Sequence, residues 1–298
     1  MRVPPRVTVV EVGPRDGLQN ERTTIATADK IGFVNRLSDA GHSVIEVSAF
    51  VSPKWVPQMA DAAEVFRGIT RRPGVRYTAL VPNTAGLERA RTAGLTEVAI
   101  FAAASDTFSR RNINQSIDES LVNYLAVCRA AQAAGMRVRG YLSTGFVCPF
   151  EGRIAPARVA DLAQRVMDLG VFEVAVSDTI GAAHPAQVVE VLDAVTKRVP
   201  LAQVALHFHD TRGTALANVL AGLDYGVTTF DSSAGGLGGC PYAPGAAGNL
   251  ATEDLLFMLH GLGIETGVSL DEVAGASRFI EPKLDHPLPS RFLQAPRL

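Results

Sequence analysis

Gly13-Pro14-Arg15-Asp16, His207-Phe208-His209 and the Gly238-Gly239-Cys240 stretch leading on to Asn249 supply, from distant parts of the chain, the residue types of one octahedral metal site. In an extended strand side chains alternate between faces, so His207 and His209 point one way and Phe208 the other. Two imidazoles, the Asp16 carboxylate and the Asn249 amide offer a divalent cation nitrogen and oxygen donors while leaving positions open for substrate. Taken singly, each residue has a plainer reading. A lone histidine in an apolar strand is usually a satisfied core residue, and Asp16 alone fits a turn at Gly17. The i, i+2 spacing of the histidines, followed by Asp210 and a helix start, turns the balance toward metal.

Other residues could carry chemistry beside that set. Glu46 lies between apolar neighbours in SVIEVSAF. A buried carboxylate is costly without a cation or donor, so Arg15 or a ligating histidine is its expected partner, and orienting a ligand its expected role. Asp178 reads either as a site carboxylate or as the cap of the following helix. Cys240 sits in SSAGGLGGCPYAPGAAGNL, too glycine-rich for packed core and suited to closing over a substrate. It stands between buried filler and an exposed, titrating thiol. Cys128, in the helical pattern YLAVCRAAQAAG, reads as core; Cys148, before Pro149, is left open.

These residues need a frame. Apolar, β-rich runs recur near 7–12, 43–49, 75–81, 96–103, 136–143, 171–178, 203–209 and 227–232. Helical patterns fall between them near 28–40, 58–68, 84–94, 116–134, 157–169, 185–198 and 214–225, with another near 252–261. Thr27, Ser116 with Glu119, Pro156 and Pro185 are start signals, and Gly41, Gly94, Gly135, Gly170 and Gly226 are stop signals. Eight strand–helix repeats predict a (β/α)8 barrel of the TIM type, with its site at the carboxyl ends of the strands. Arg15, Asp16, Glu46, Tyr141, Ser143, Asp178, His207 and His209 then converge on one mouth, with Cys240 and Asn249 in the long loop after strand eight. An open doubly wound sheet would want a phosphate loop after the first strand, and Gly13-Pro14-Arg15-Asp16-Gly17 matches one poorly. One catalytic barrel domain over 1–298 is expected, its core about 6–268 and its proline-bearing C-terminal extension about 269–298 wrapping the barrel.

Composition narrows the function. At 298 residues, 47% apolar and 19% charged, the chain suits a soluble globular protein with a sizeable core. A formal charge of −2 gives no field for nucleic acid or an anionic membrane, so an anionic substrate must be met by local basic residues. No apolar run approaches the roughly 20 residues of a bilayer span, and MRVPPRVTVV lacks a signal-peptide core. Three scattered cysteines do not suggest a disulfide framework, and reduced cytoplasm is the expected compartment.

VEVGPRDGLQNE, SVIEVSAFVSPKWVPQM, SDTIGAAHP, LHFHDTRGTALAN and DSSAGGLGGCPYAPGAAGNLATEDLL resemble the hydroxymethylglutaryl-CoA lyases over about residues 6 to 268. The Arg-Asp and His-x-His pieces are shared with the synthases of the same barrel superfamily; SPKWVPQM and the glycine loop are more particular to the lyases. The resemblance implies retro-Claisen cleavage of 3-hydroxy-3-methylglutaryl-CoA to acetoacetate and acetyl-CoA, in leucine degradation. It implies Mg2+ or Mn2+ on Asp16, His207, His209 and Asn249, and Arg15 stabilising the developing oxyanion. Cys240 would be a general acid/base, with His207, Glu46 and Asp178 completing the catalytic group. Substrate contacts would come from Arg15, Gln19 and Tyr141, and from Arg22, Arg111, Asn112 and Asn114 at the rim, with Lys54 a weaker candidate. Arg212, Ser177 and Ser143 depart from the vertebrate-type pattern without removing a ligand. The alternatives are a lyase for a longer 3-hydroxy-3-alkylglutaryl-CoA and a Claisen-condensing synthase. A homodimer is compatible with the resemblance.

Overall fold

The computed structural model describes residues 3–239 and 248–296. Eight parallel strands close into a barrel: β1 (Thr8–Glu11), β2 (Val44–Ala49), β3 (Arg76–Leu80), β4 (Glu97–Ala103), β5 (Arg137–Ser143), β6 (Val174–Asp178), β7 (Val204–Phe208) and β8 (Thr229–Ser232). β8 pairs with β1 from Thr8↔Thr229 to Glu11↔Ser232, so the sheet has no edge. The expected (β/α)8 barrel is therefore present, and the strand pattern is the reason. Runs such as VIEVSA and VALHF are buried at every position, as strands covered on both faces must be.

Helices α1 (Thr27–Asp39), α2 (Ala62–Gly68), α3 (Thr84–Thr92), α4 (Asp106–Ile113), α5 (Ile117–Ala133), α6 (Pro156–Asp168), α7 (Pro185–Val195) and α8 (Ala215–Tyr225) alternate with the strands. α9 (Thr252–Gly261), α10 (Leu270–Ile280) and α11 (Arg291–Gln294) follow. α6 shows the packing logic: Val159, Ala160, Leu162, Ala163 and Val166 share one buried face at helical spacing. α5 begins with a capping box, in which Glu119 N donates to Ser116 Oγ at 3.2 Å and Ser116 N to Glu119 Oε2 at 2.7 Å. Pro156 and Pro185 open their helices, and all five expected closing glycines have positive φ, 105° at Gly226.

Three stretches differ from expectation. The region near 58–68 is a 3₁₀ turn, Pro57–Met59, followed by the shorter α2. α4 went unseen because DTFSRRNI offers little apolar periodicity and holds mainly by its ends, with Ser105 Oγ accepting from Phe108 N at 3.0 Å. The C-terminal segment carries two helices of its own. α10 lies on α1, where the Arg36 guanidinium sits 3.9 Å above the Phe279 ring. Among the described residues no helix is long and apolar enough to cross a membrane.

Candidate active site

β1 runs into a widened helical turn, Gly13–Gly17, closed by Asp16 N and Gly17 N donating back to Val12 O at 2.8 and 3.2 Å. This turn carries Arg15 and Asp16 over the mouth of the barrel; such π-type turns recur at functional sites. Glu11, just before it, is fully buried. Its carboxyl group accepts from Gly13 N (2.7 Å), Ala234 N (2.9 Å) and Thr252 Oγ1 (2.8 Å), tying the loop after β1 to the loop after β8.

His207 and His209 share the face of β7 that looks into the mouth, their ring centroids 5.3 Å apart, while Phe208 points away to pack on Phe146 at 5.9 Å. Nε2 of each imidazole lies near Asp16 Oδ2, at 3.9 Å for His207 and 3.8 Å for His209. These are too long for hydrogen bonds and suit donors arranged around a common centre. One donor atom from each of these three residues falls within 4.8 Å of the others. Asn249 joins them through an isolated bridge to His209, with Leu250 N donating to Phe208 O at 3.0 Å. Its Nδ2 donates to Asp16 Oδ2 and to Leu237 O, both at 3.0 Å, while its buried Oδ1 has no partner. An orphaned amide oxygen beside a carboxylate oxygen and two imidazole nitrogens is a donor set that fits a hard divalent cation. Gly248 is required here, since a Cβ would stand 2.1 Å from Gly238 O.

Arg15 is buried against this set. Its Nε is 2.5 Å from Glu46 Oε2 and its Nη1 pairs with Asp16 Oδ1. Burial opposes its charge, but Asp16 and Glu46 outweigh that and hold the guanidinium firmly protonated. Burial likewise raises Asp16, yet Arg15 and the histidines hold its carboxyl well below the usual range, ionised and ready to ligate. Glu46 thus has the partner its sequence context demanded, and Tyr141 Oη also donates to it at 3.3 Å.

A second buried network escaped the sequence reading. His207 Nδ1 lies 3.2 Å from Asp231 Oδ2, and Asp231 receives Arg139 through Nη2 at 2.8 Å and Nη1 at 3.2 Å. Arg139 also donates to Tyr141 Oη at 3.0 Å. Burial pushes Asp231 up, but Arg139 more than offsets this and keeps the carboxylate ionised. The available signal was alternation: Arg139 and Tyr141 are an i, i+2 pair inside an apolar strand, where an arginine needs an acid.

Other expected residues are placed differently. Asp178 is buried at the tip of β6, where Ala182 N and Ala183 N occupy its oxygens at 3.0 and 2.9 Å. Both of its oxygens thus accept from backbone donors, the geometry of a loop cap, which was the other reading of this residue. Arg212 donates to Ile180 O (3.0 Å) and Gly181 O (2.9 Å), bracing the loop after β6. Gln19 is half-buried and Arg22 exposed in the loop after β1, and Lys54 is exposed after β2. Arg111 and Asn112 lie on α4, the Arg111 guanidinium 4.2 Å above the Phe150 ring, and Asn114 is the left-handed cap that ends this helix. Arg22, Lys54 and the Arg111–Asn114 stretch thus lie in segments that follow the carboxyl ends of β1, β2 and β4. Cys128 is core, and Cys148 is buried with Sγ 3.0 Å from Ser105 Oγ. Cys240 lies outside the described residues.

The chain is 52% identical to the hydroxymethylglutaryl-CoA lyase of Bacillus subtilis over 99% of this chain and 98% of that one. The crystal structure of hydroxymethylglutaryl-CoA lyase from Pseudomonas aeruginosa superposes with a TM-score of 0.97 at 51% identity, covering 99% of this chain and 98% of that one. An HMG-CoA lyase from Acinetobacter baumannii, solved with coenzyme A and 3-methylmalate, superposes with a TM-score of 0.94 at 40% identity, covering 98% of this chain and 96% of that one. The HMGL-like family model matches residues 6–280, and the chain belongs to the HMGL-like family of carbon–carbon lyases.

Proposed function

We propose that this chain cleaves 3-hydroxy-3-methylglutaryl-CoA to acetoacetate and acetyl-CoA, as one catalytic barrel acting in leucine degradation in the cytoplasm. The observation that carries the reading is the meeting of Asp16, His207, His209 and Asn249 beside the buried Arg15. Support comes from relatives named as hydroxymethylglutaryl-CoA lyases at about half identity over nearly the whole chain. For the compartment, support comes from Cys128 and Cys148, which are free, buried thiols.

Those four residues would hold Mg2+ or Mn2+, which when bound acidifies a coordinated substrate hydroxyl. The chain supplies the rest. Asp231 fixes the His207 ring through Nδ1 and so presents Nε2 to the site. The tertiary hydroxyl loses its proton, the bond from the carbinol carbon to the thioester methylene breaks, and the carbinol carbon becomes the ketone of acetoacetate. The electron pair passes to the thioester as an enolate. Arg15, locked by Glu46 and permanently charged, is preorganised to stabilise that oxyanion. A proton then reaches the methylene carbon to give acetyl-CoA, with the Cys240 thiol as its donor. The hydroxyl proton is released to solvent and the Cys240 thiolate takes one back, so protons balance over a turnover. Gln19 and Tyr141 line the acyl end, and Arg22, Arg111, Asn112 and Asn114 face the CoA tail.

The test is direct. Purified protein incubated with the thioester should release acetyl-CoA and acetoacetate in equal amounts, and no release in the presence of Mg2+ would refute the assignment.

A further inference from the structure

A cleft of about 340 Å³ opens beside the candidate metal site, in the segments that follow β7 and β8. Gly236, Asn249 and Ala251 line it, so it shares Asn249 with the set that would hold the cation. The turn 210–213 forms part of its wall, closed by Gly213 N donating to Asp210 O at 2.9 Å. Asp210 N in turn donates to Gly248 O at 3.0 Å, which fastens this wall to the chain just before Asn249. Pro289 and Arg291 of the C-terminal segment complete the cleft, fixed by Ser290 N donating to Gly235 O at 3.1 Å.

Two carboxylates and two guanidiniums line this cleft, and they differ in what they have left to offer. Asp254 is engaged with α11: Oδ1 accepts from Ser290 Oγ (2.9 Å) and Phe292 N (2.8 Å), and Oδ2 from Arg291 N (3.1 Å). Asp210 Oδ1 accepts from Ala215 N at 2.9 Å at the start of α8, and this carboxyl senses the Arg291 charge without hydrogen-bonding to it. Arg212 donates through Nη1, to Ile180 O and Gly181 O, which leaves Nε and Nη2 for the cleft. Arg291 makes no hydrogen bond through its guanidinium among the described residues. Gly213 gives it room, since a Cβ there would stand 3.3 Å from Arg291 Nη2. Guanidinium edges held on fixed backbone are donors for a carboxylate, which accepts paired N–H groups. The volume admits an acid of a few carbons with water around it.

We propose that this cleft binds a small carboxylate between Arg212 and Arg291, and that the carboxylate is the acetoacetate released from the cation. The inference rests on the reading of the chain as a hydroxymethylglutaryl-CoA lyase and adds where its acid product goes. Acetoacetate leaves as an anion from a site that shares Asn249 with the cleft. The candidates for the CoA tail follow β1, β2 and β4, so the acid and acetyl-CoA part on different sectors of the barrel. An acid already held in the cleft opposes release of the next one, which makes turnover respond to accumulated product.

Arg291 is the residue to change, because Arg212 also braces the loop after β6. Acetoacetate should inhibit the Mg2+-loaded full-length protein by lowering kcat, and neutral acetone at the same concentration should not. Arg291→Ala should raise the acetoacetate inhibition constant, and its calorimetric Kd, about tenfold or more, as for loss of a charge-assisted pair. Its KM for the thioester should stay near wild type, and Arg291→Lys should recover part of the acetoacetate binding. The inference is overturned if Arg291→Ala leaves acetoacetate binding unchanged, or if KM for the thioester rises in step with the inhibition constant. It is equally overturned if inorganic phosphate occupies the cleft as well as a carboxylate does. Arg291-dependent acetoacetate binding by a protein that does not cleave the thioester would leave the cleft standing and remove the lyase reading. Cleavage with binding indifferent to Arg291 would do the reverse.

Discussion

His207 Nδ1 and Asp231 Oδ2 are 3.2 Å apart, and Asp231 is gripped from its other side by Arg139 at 2.8 Å. The imidazole facing the candidate cation is therefore held by a buried carboxylate, which is itself held by a buried guanidinium. Such support fixes the ring and raises its basicity as a ligand. Asp231→Asn should weaken cation binding about 10–100-fold, read by Mn2+ titration in a calorimeter. An unchanged Kd would show that the contact is only architectural.

Arg15→Gln removes a charged donor from the place where the oxyanion develops. It should lower kcat about 100-fold or more while leaving the Kd for acetyl-CoA close to that of the parent protein. A raised KM with normal kcat would instead mean that Arg15 only binds substrate. The same variant leaves Glu46 buried without its 2.5 Å partner, so a lower Tm should accompany the kinetic loss.

Cys240→Ser should be severely impaired. Cys128 and Cys148 are buried, and burial pushes the Cys128 thiol up to about 11, so neither competes for an alkylating reagent. Iodoacetamide should therefore add once per chain, abolish turnover, and be excluded by bound substrate. Full activity after single modification would contradict the role.

Burial pushes Glu11 up to about 8 and Glu253 up to about 7, both from 4.5. Between those values the folded chain keeps protons that the unfolded chain has released, so stability falls as pH rises. His42, lowered to about 4 by burial, acts in the opposite sense only up to its ordinary 6.5. Tm should therefore decline from pH 6.5 to about 8, and Glu253→Gln should flatten the lower part of that decline. A Tm that rises across the interval would show these carboxyls to be ionised in the fold.

How much of this was legible before the structure depends on the residue. The barrel was, because Gly41, Gly94, Gly135, Gly170 and Gly226 end helices just where apolar strands resume. The pairing of His207 with His209 was, because a period of two is a property of any strand. Asp178 was half legible: its position at a strand tip was right, but only coordinates reveal that Ala182 N and Ala183 N have claimed it. The Arg139–Asp231 pair was not, since its partners are 92 residues apart and nothing local marks them for each other. α4 was not either, because its sequence speaks through its end at Ser105 rather than through an apolar face.

The proposed carbon–carbon cleavage depends on a divalent cation held by Asp16, His207, His209 and Asn249. The most direct measurement is acetyl-CoA formation from 3-hydroxy-3-methylglutaryl-CoA by protein stripped with EDTA, dialysed and retitrated with Mn2+. Turnover should vanish on stripping and return in proportion to cation bound, saturating at one per chain. Undiminished turnover by the stripped protein would contradict it.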